Sequence, residues 1–183
     1  MLQKEVNIPR ALREIHGERS RVSTLILVYL SGLLIAGIMV WQAAALALPW
    51  WKTALLALMF LDIGGGVVAN FSTSTNQHYQ QNPRLRLPFI IMHVIHPLVF
   101  WLVLPTGFSY ALFVMVYAIV CMLALNFIQD RELQRNLAAL LTGLGICLSF
   151  LFPLSAVALY TFAPLFLVKL LLGFSVRRPL IVE

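Results

Sequence analysis

Asp62, His93 and His96 are the residues of this chain best placed by type and spacing to do chemistry. Asp62 lies in Leu61-Asp62-Ile63-Gly64-Gly65-Gly66, inside an otherwise apolar run. His93 and His96 stand at i and i+3 on one helical face of another run, and Pro97 follows directly. A carboxylate at membrane depth is costly unless it faces the bundle interior and finds a partner or a proton. Two imidazoles and a carboxylate are the donor set that a divalent transition metal takes.

Their depth brings them together. Counting back from Asn70 to Asp62 and forward from Pro88 to His96 gives eight residues each. At 1.5 Å per residue both sit about 12 Å inside the same boundary, with His93 at about 7–8 Å. Successive spans joined by one loop are usually neighbours, so the acid is expected to meet the histidines. Three consecutive glycines beside Asp62 allow a neighbouring helix close. Gly66 and Ala69 continue its face as a small-residue stripe toward Asn70. Proline at 97 cannot donate to the carbonyl of His93, so that carbonyl is expected to be a free acceptor beside the cluster.

Three chemistries fit these residues. As metal ligands, Asp62, His93 and His96, with His78 as a fourth, would hold zinc or another divalent transition metal. The metal would activate a water for hydrolysis of a lipid-like, membrane-borne substrate. As a proton relay, the same three would serve a small channel or proton-coupled transporter, for which a homo-oligomer is expected. As a helix lock, Asp62 would simply hydrogen-bond a histidine in a structural or assembly protein, a modest contact averaging about 0.6 kcal/mol. Asn70, Asn126 and Asp130 gather at the same end of their spans and are the candidate substrate-binding residues.

The acid-plus-histidine arrangement is loosely similar to that of the alkaline ceramidase and adiponectin-receptor superfamily, in which intramembrane histidines and an acid hold zinc. Two departures limit the resemblance to site chemistry. This chain is expected to have six spans instead of seven. Its His93/His96 pair is also HxxH in a middle helix, where that family has HxxxH near its end.

The elements that must position these residues are membrane helices. Hydrophobic residues make up 61% of the 183, and charged residues only 11%, against about 25% charged in a soluble domain. The expected fold is therefore all-α and polytopic, with six transmembrane helices. They read as Thr24–Trp41, Thr53–Asn70, Pro88–Leu104, Phe108–Ile128, Leu137–Phe152 and Ser155–Gly173. Residues 1–22 form a basic N-terminal segment, 23–176 the helical domain and 177–183 a tail. The polar stretch Phe71–Leu87 reads as a loop. Ile8, Leu12 and Ile15, with Pro9 at a helix start and Gly17 at its stop, read as a short interfacial helix.

Net charge is +6, yet the basic residues sit between apolar runs, which argues for membrane orientation and against nucleic acid. Twelve of the 13 lie on one side of the expected spans, and only Lys52 lies on the other. Basic residues are retained in the cytoplasm, so both ends are expected inside, in a plasma or inner membrane whose lipids are the first partners. Trp41, Trp50, Trp51 and Trp101 then gather at the outer interface, where amphipathic rings prefer to sit. Lys169 is expected to snorkel to the inner headgroups, with a counter-ion role to Asp62 as the alternative. Cys121 and Cys147 lie in separate apolar runs without a CxxC pairing and read as small buried hydrophobes.

Overall fold

A computed structural model describes residues 3–155 and 157–178; the expected tail beyond Arg178 lies outside the described residues. The chain is mostly helical, and four stretches are long and apolar enough to cross a membrane: Val22–Ala44, Trp50–Phe71, Pro83–Val103 and Pro105–Phe127. The N-terminal turn Arg13–His16 is α1, and the first two long stretches are α2 (Val22–Ala44) and α3 (Trp50–Phe71). A short polar helix, α4 (Thr73–Gln81), comes next. The third long stretch contains α5 (Arg86–Met92) and α6 (Ile95–Val103), and the fourth contains α7 (Phe108–Phe127).

The remaining two expected spans are shorter in apolar length. Helix α8 (Arg131–Ser149) carries Arg131, Glu132 and Arg135 in its first turns, leaving about 20 Å of apolar helix. The last apolar helical stretch, Leu159–Phe174, covers about 24 Å. It consists of a helical turn, α9 (Phe162–Leu167) and a π-helical segment, Val168–Phe174. Neither matches the ~30 Å of a bilayer core on length alone.

Close approach governs the packing of α2 on α3. A Cβ added at Gly32 would stand 2.7 Å from the Leu61 carbonyl oxygen, a backbone atom that cannot step aside. Ser31 Oγ donates to Gly64 O at 2.6 Å across the same seam. On the other side of α3, an aromatic core joins α6, α7 and α9. Phe100 stacks on Phe162 at 4.7 Å, Phe162 on Phe166 at 5.2 Å, and Tyr110 OH accepts from Ala163 N at 3.1 Å. Cys121 is buried as expected, whereas Cys147 is exposed on α8.

Helix C-termini collect at one end, and arginines satisfy their carbonyls. Arg178 donates to Asn70 O at 3.2 Å and to Leu172 O at 3.3 Å; Arg177 donates to Asn126 O at 2.8 Å. These three acceptors close α3, the π-helical segment and α7, where unpaired carbonyls and the negative dipole end favour cations. Tryptophans and Lys52 mark the opposite end, where Lys52 Nζ donates to Val103 O at 3.1 Å.

Two regions differ from the sequence expectation. The stretch read as a loop forms α4, with Ser72 as its N-cap accepting from Thr75 N at 3.3 Å. Its polar composition hides the helix, because its buried face is made of Thr75, Asn76, His78 and Tyr79 instead of aliphatic residues. At the N-terminus, the expected helix is two short turns, Arg10–Leu12 and α1. They sit inside an antiparallel pair, β1 (Glu5–Asn7) and β2 (Arg19–Arg21), with Glu5 opposite Arg21 and Asn7 opposite Arg19. Strands of three residues leave no readable alternation in sequence. This hairpin docks on α4: Thr75 Oγ1 donates to Ile15 O at 2.7 Å, and Ser74 Oγ donates to His16 O at 2.5 Å and also to Arg19 O.

The tight helix seam and the docked hairpin can each be tested. Gly32→Val should lower stability by about 1–3 kcal/mol through overpacking, read by unfolding in mixed micelles. Gly37→Val, which meets nothing within 4 Å, is the control, and equal loss in both would refute the close-approach argument. In the hairpin, His16 is buried against Tyr29 OH at 3.0 Å. Burial holds its imidazole below the ordinary 6.5, so the undocked hairpin binds more protons than the docked one. Docking should be at full strength above pH 6.5, weaken as pH falls through that value, and level off below the depressed pKa. Hydrogen exchange over residues 5–21 should show this, and His16→Phe should flatten it.

Candidate functional site

Asp62 reaches the cluster because α3 presents it, with Gly66 and Asn70, toward α6 and the π-helical segment. Its Oδ2 accepts from His96 Nε2 at 2.6 Å and from the Lys169 ammonium. Lys169 Nζ also donates to the Asp62 carbonyl at 3.3 Å. The lysine side chain is 3% exposed, while that of Asp62 is 49% exposed. The carboxylate is therefore open on one side and bound on the other.

Lys169 thus departs from the snorkelling expectation and takes the counter-ion role. Two features explain why. A Cβ at Gly66 would lie 2.8 Å from Lys169 Nζ and 2.9 Å from its Cδ, so glycine there leaves room for the lysine arm along α3 and a larger residue would displace it. Lys169 also stands in the π-helical segment, where Ser175 N reaches back to Leu170 O at 2.9 Å. The wider turn sets Lys169 and Gly173 against the Gly66–Asn70 stripe. Asn70 Nδ2 completes the join by donating to Lys169 O at 3.1 Å.

The histidines sit at a break in the third span. Helix α5 ends at Met92 and α6 begins at Ile95, with tight turns between them. The His93 carbonyl, expected to be free above Pro97, instead accepts from His96 N at 3.4 Å. Tightening of the turn supplies the donor that proline removes. The two imidazoles stack with centroids 5.1 Å apart and planes 14° apart.

Hydrogen bonding fixes which ring nitrogens remain open. His93 Nδ1 lies 2.7 Å from Phe89 O and donates to it, leaving His93 Nε2 as a lone pair. His96 donates from Nε2 to Asp62, leaving Nδ1 as a lone pair. Both remaining nitrogens are buried and have no hydrogen-bond partner among the described residues. One ligand atom each from Asp62, His93 and His96 can be chosen so that all lie within 4.8 Å of one another.

Other residues singled out from sequence are placed elsewhere. His78 is buried on α4 beside Tyr79 and does not belong to that three-residue group. Asn126 accepts from Arg86 Nε at 2.7 Å, and Asp130 caps α8 by accepting from Leu133 N at 2.6 Å. Asn70 alone of the three candidate binding residues adjoins the cluster, through the backbone of Lys169. The carbonyl of Phe89, which orients His93, has no signal in the sequence beyond its i−4 position.

Fold and site together define a mostly helical chain with four helical stretches long and apolar enough to cross a membrane and a shared Asp/His/Lys cluster. Comparison with protein-family models, with curated proteins and with solved structures finds no match.

The pair makes a measurable demand on stability. Asp62→Asn should destabilise the fold by roughly 1–3 kcal/mol, because Lys169 stays buried without its counter-charge; the open side of Asp62 keeps the loss below the figure for a fully buried pair. Adding Lys169→Met should recover much of that loss. Additive losses in the double-variant cycle would show that the two groups do not act as a pair.

Proposed function

We propose that the chain is a membrane-embedded metalloenzyme acting on a lipid-like, membrane-borne substrate. The observation that carries this reading is the buried imidazole nitrogen His93 Nε2, left without a partner among the described residues, in a group where one ligand atom each of Asp62, His93 and His96 lies within 4.8 Å of the others. A buried polar atom without a partner needs a reason, and a bound metal is one. Support comes from the way His93 is held, since metal-binding histidines commonly donate their second nitrogen to a backbone carbonyl. Asp62, His93 and His96 would hold zinc or another divalent transition metal, which supplies a water of lowered pKa and a Lewis acid for a carbonyl or phosphoryl group.

The chain's own residues have distinct parts in this reading. Lys169 neutralises Asp62 in the resting site, and its ammonium would be the residue's contribution to stabilising a developing substrate oxyanion. In the resting site His96 Nε2 fixes the carboxylate by donating to it; as a ligand beside Asp62 the same nitrogen would give up that proton and hydrogen bond. The open side of Asp62 gives a substrate in the bilayer a lateral approach, and a lipid meets this requirement better than a soluble molecule. His78, Asn126 and Asp130 stay outside this set.

The proposed setting is an inner membrane crossed six times, with both ends and the basic 1–22 segment in the cytoplasm. Arginine-capped helix ends on one side and the tryptophans with Lys52 on the other support it. Helices α8 and Leu159–Phe174 would cross as short spans in a locally thinned bilayer.

One observation favours a second reading, a proton-coupled transporter or channel. Lys169, Asp62 and His96 form a continuous hydrogen-bonded chain with His93 stacked at its end. Such a chain moves a proton without metal.

Elemental mass spectrometry of the detergent-purified protein, before and after zinc loading, separates the readings. About one metal per chain, lost in His93→Ala/His96→Ala, is the result expected of the metalloenzyme. Folded protein that stays metal-free after loading would overturn it. Asp62→Asn should then abolish pH-dependent flux in proteoliposomes if the relay reading holds. If it lowers only thermal stability, the cluster is a helix lock.

A further inference from the structure

A second polar site lies on the other face of α3. A half-open cleft of about 770 Å³ is lined by the hairpin strands, the first turns of α2, the last turns of α3 and the length of α4. That volume falls in the range of small-molecule sites, roughly 300–1,000 Å³. Phe71 follows Asp62 by nine residues, about half a turn around the helix. The cleft is therefore separate from the Asp62 cluster, and its apolar wall depends on α2 and α3 crossing the membrane, not on a metal.

Its walls divide by chemistry. Leu27, Val68 and Phe71 form the apolar side, at the ends of two membrane-crossing helices. Leu27 is 55% exposed and Phe71 43% exposed, so this side is continuous with the lipid-facing surface. Arg19 and Arg21 stand on the polar side, on β2. Glu18 in the same wall is paired with Arg13 at 3.4 Å, whereas neither arginine has an ion-pair partner among the described residues. With Glu18 offset by Arg13 and Glu5 standing opposite Arg21 in the strand register, the lining keeps one guanidinium in excess, and the cleft favours an anion. Ser20 and His78 also line it, each buried with a polar atom that has no partner among the described residues.

We infer that this cleft binds the phosphate-bearing headgroup of an anionic membrane phospholipid, with an acyl chain laid against Leu27 and Val68. Guanidinium groups suit phosphate oxygens because they can donate in a bidentate fork. An apolar wall continuous with the lipid-facing surface suits an attached chain. A soluble phosphate ester would use only half of the site. A lipid held here ties the N-terminal hairpin to the membrane-crossing helices and to α4 at once.

Native mass spectrometry of the full chain, released from detergent after titration with defined lipids, tests the proposal. One phosphatidylglycerol should be retained per chain in preference to phosphatidylcholine. Millimolar glycerol phosphate should neither bind alone nor displace it. Arg19→Gln/Arg21→Gln should weaken retention by roughly tenfold or more, while Arg10→Gln, which lies outside the cleft, should not. Gln77→Trp, which fills the cleft from α4 and leaves the hairpin intact, should weaken it as well and covers the case in which the double variant misfolds. Equal retention of the two lipids, displacement by glycerol phosphate, or full retention in a folded cleft variant would each overturn the proposal.

Discussion

A buried ammonium beside a half-buried carboxylate sets the terms for the centre of this bundle. Removing either charge from water is costly, and the cost is tolerable only where the pair is close and further hydrogen bonds complete it. The neighbouring sequence meets those conditions. Glycine at 66 lets the lysine arm lie along α3, and the π-helical turn sets Lys169 opposite it. Asn70 ties down the lysine's own carbonyl, and His96 takes the carboxylate oxygen from the far side. Single-turn π-helical insertions are found frequently at functional sites, and here the insertion aims one side chain.

The end of the molecule where α3, α7 and the π-helical segment finish is held by a different device. Three helix C-termini converge there, and each leaves carbonyls without intrahelical donors. Arg86, Arg177 and Arg178 supply those donors; Asn126 accepts from both Arg86 and Arg177, and Gln134 accepts from the backbone N of Arg177. Arg86 also lies 4.5 Å over the Phe174 ring, and Arg178 lies 4.4 Å over Phe71. The same kind of positive charge that orients a membrane protein during insertion is here a structural group that closes the bundle.

How much of this is legible in the sequence depends on the range of the interaction. Long apolar runs announce α2, α3 and α7 within a few residues of their ends, because lipid exposure demands continuous apolar character. Depth counting brings Asp62 and His96 together, because adjacent spans restrict where partners can be found. Lys169 escapes such counting, since its partner lies 107 residues away and the π-helical turn that redirects it leaves no sequence pattern. Helix α4 is hidden for the opposite reason. It sets hydroxyl and amide groups against backbone carbonyls of the hairpin and of Val176, and hydrophobic periodicity is blind to such a face.

Chain order adds a consequence for biogenesis. In a membrane-inserted chain Asp62 would enter before its lysine partner is made; of its two side-chain partners, His96, 34 residues on, comes first. At about 5–20 residues per second, the 107 residues to Lys169 take roughly 5–20 s to synthesise. During that interval His96 is the one of the two partners within reach. The last helix then arrives as a latch, carrying the charge that allows the earlier ones to settle.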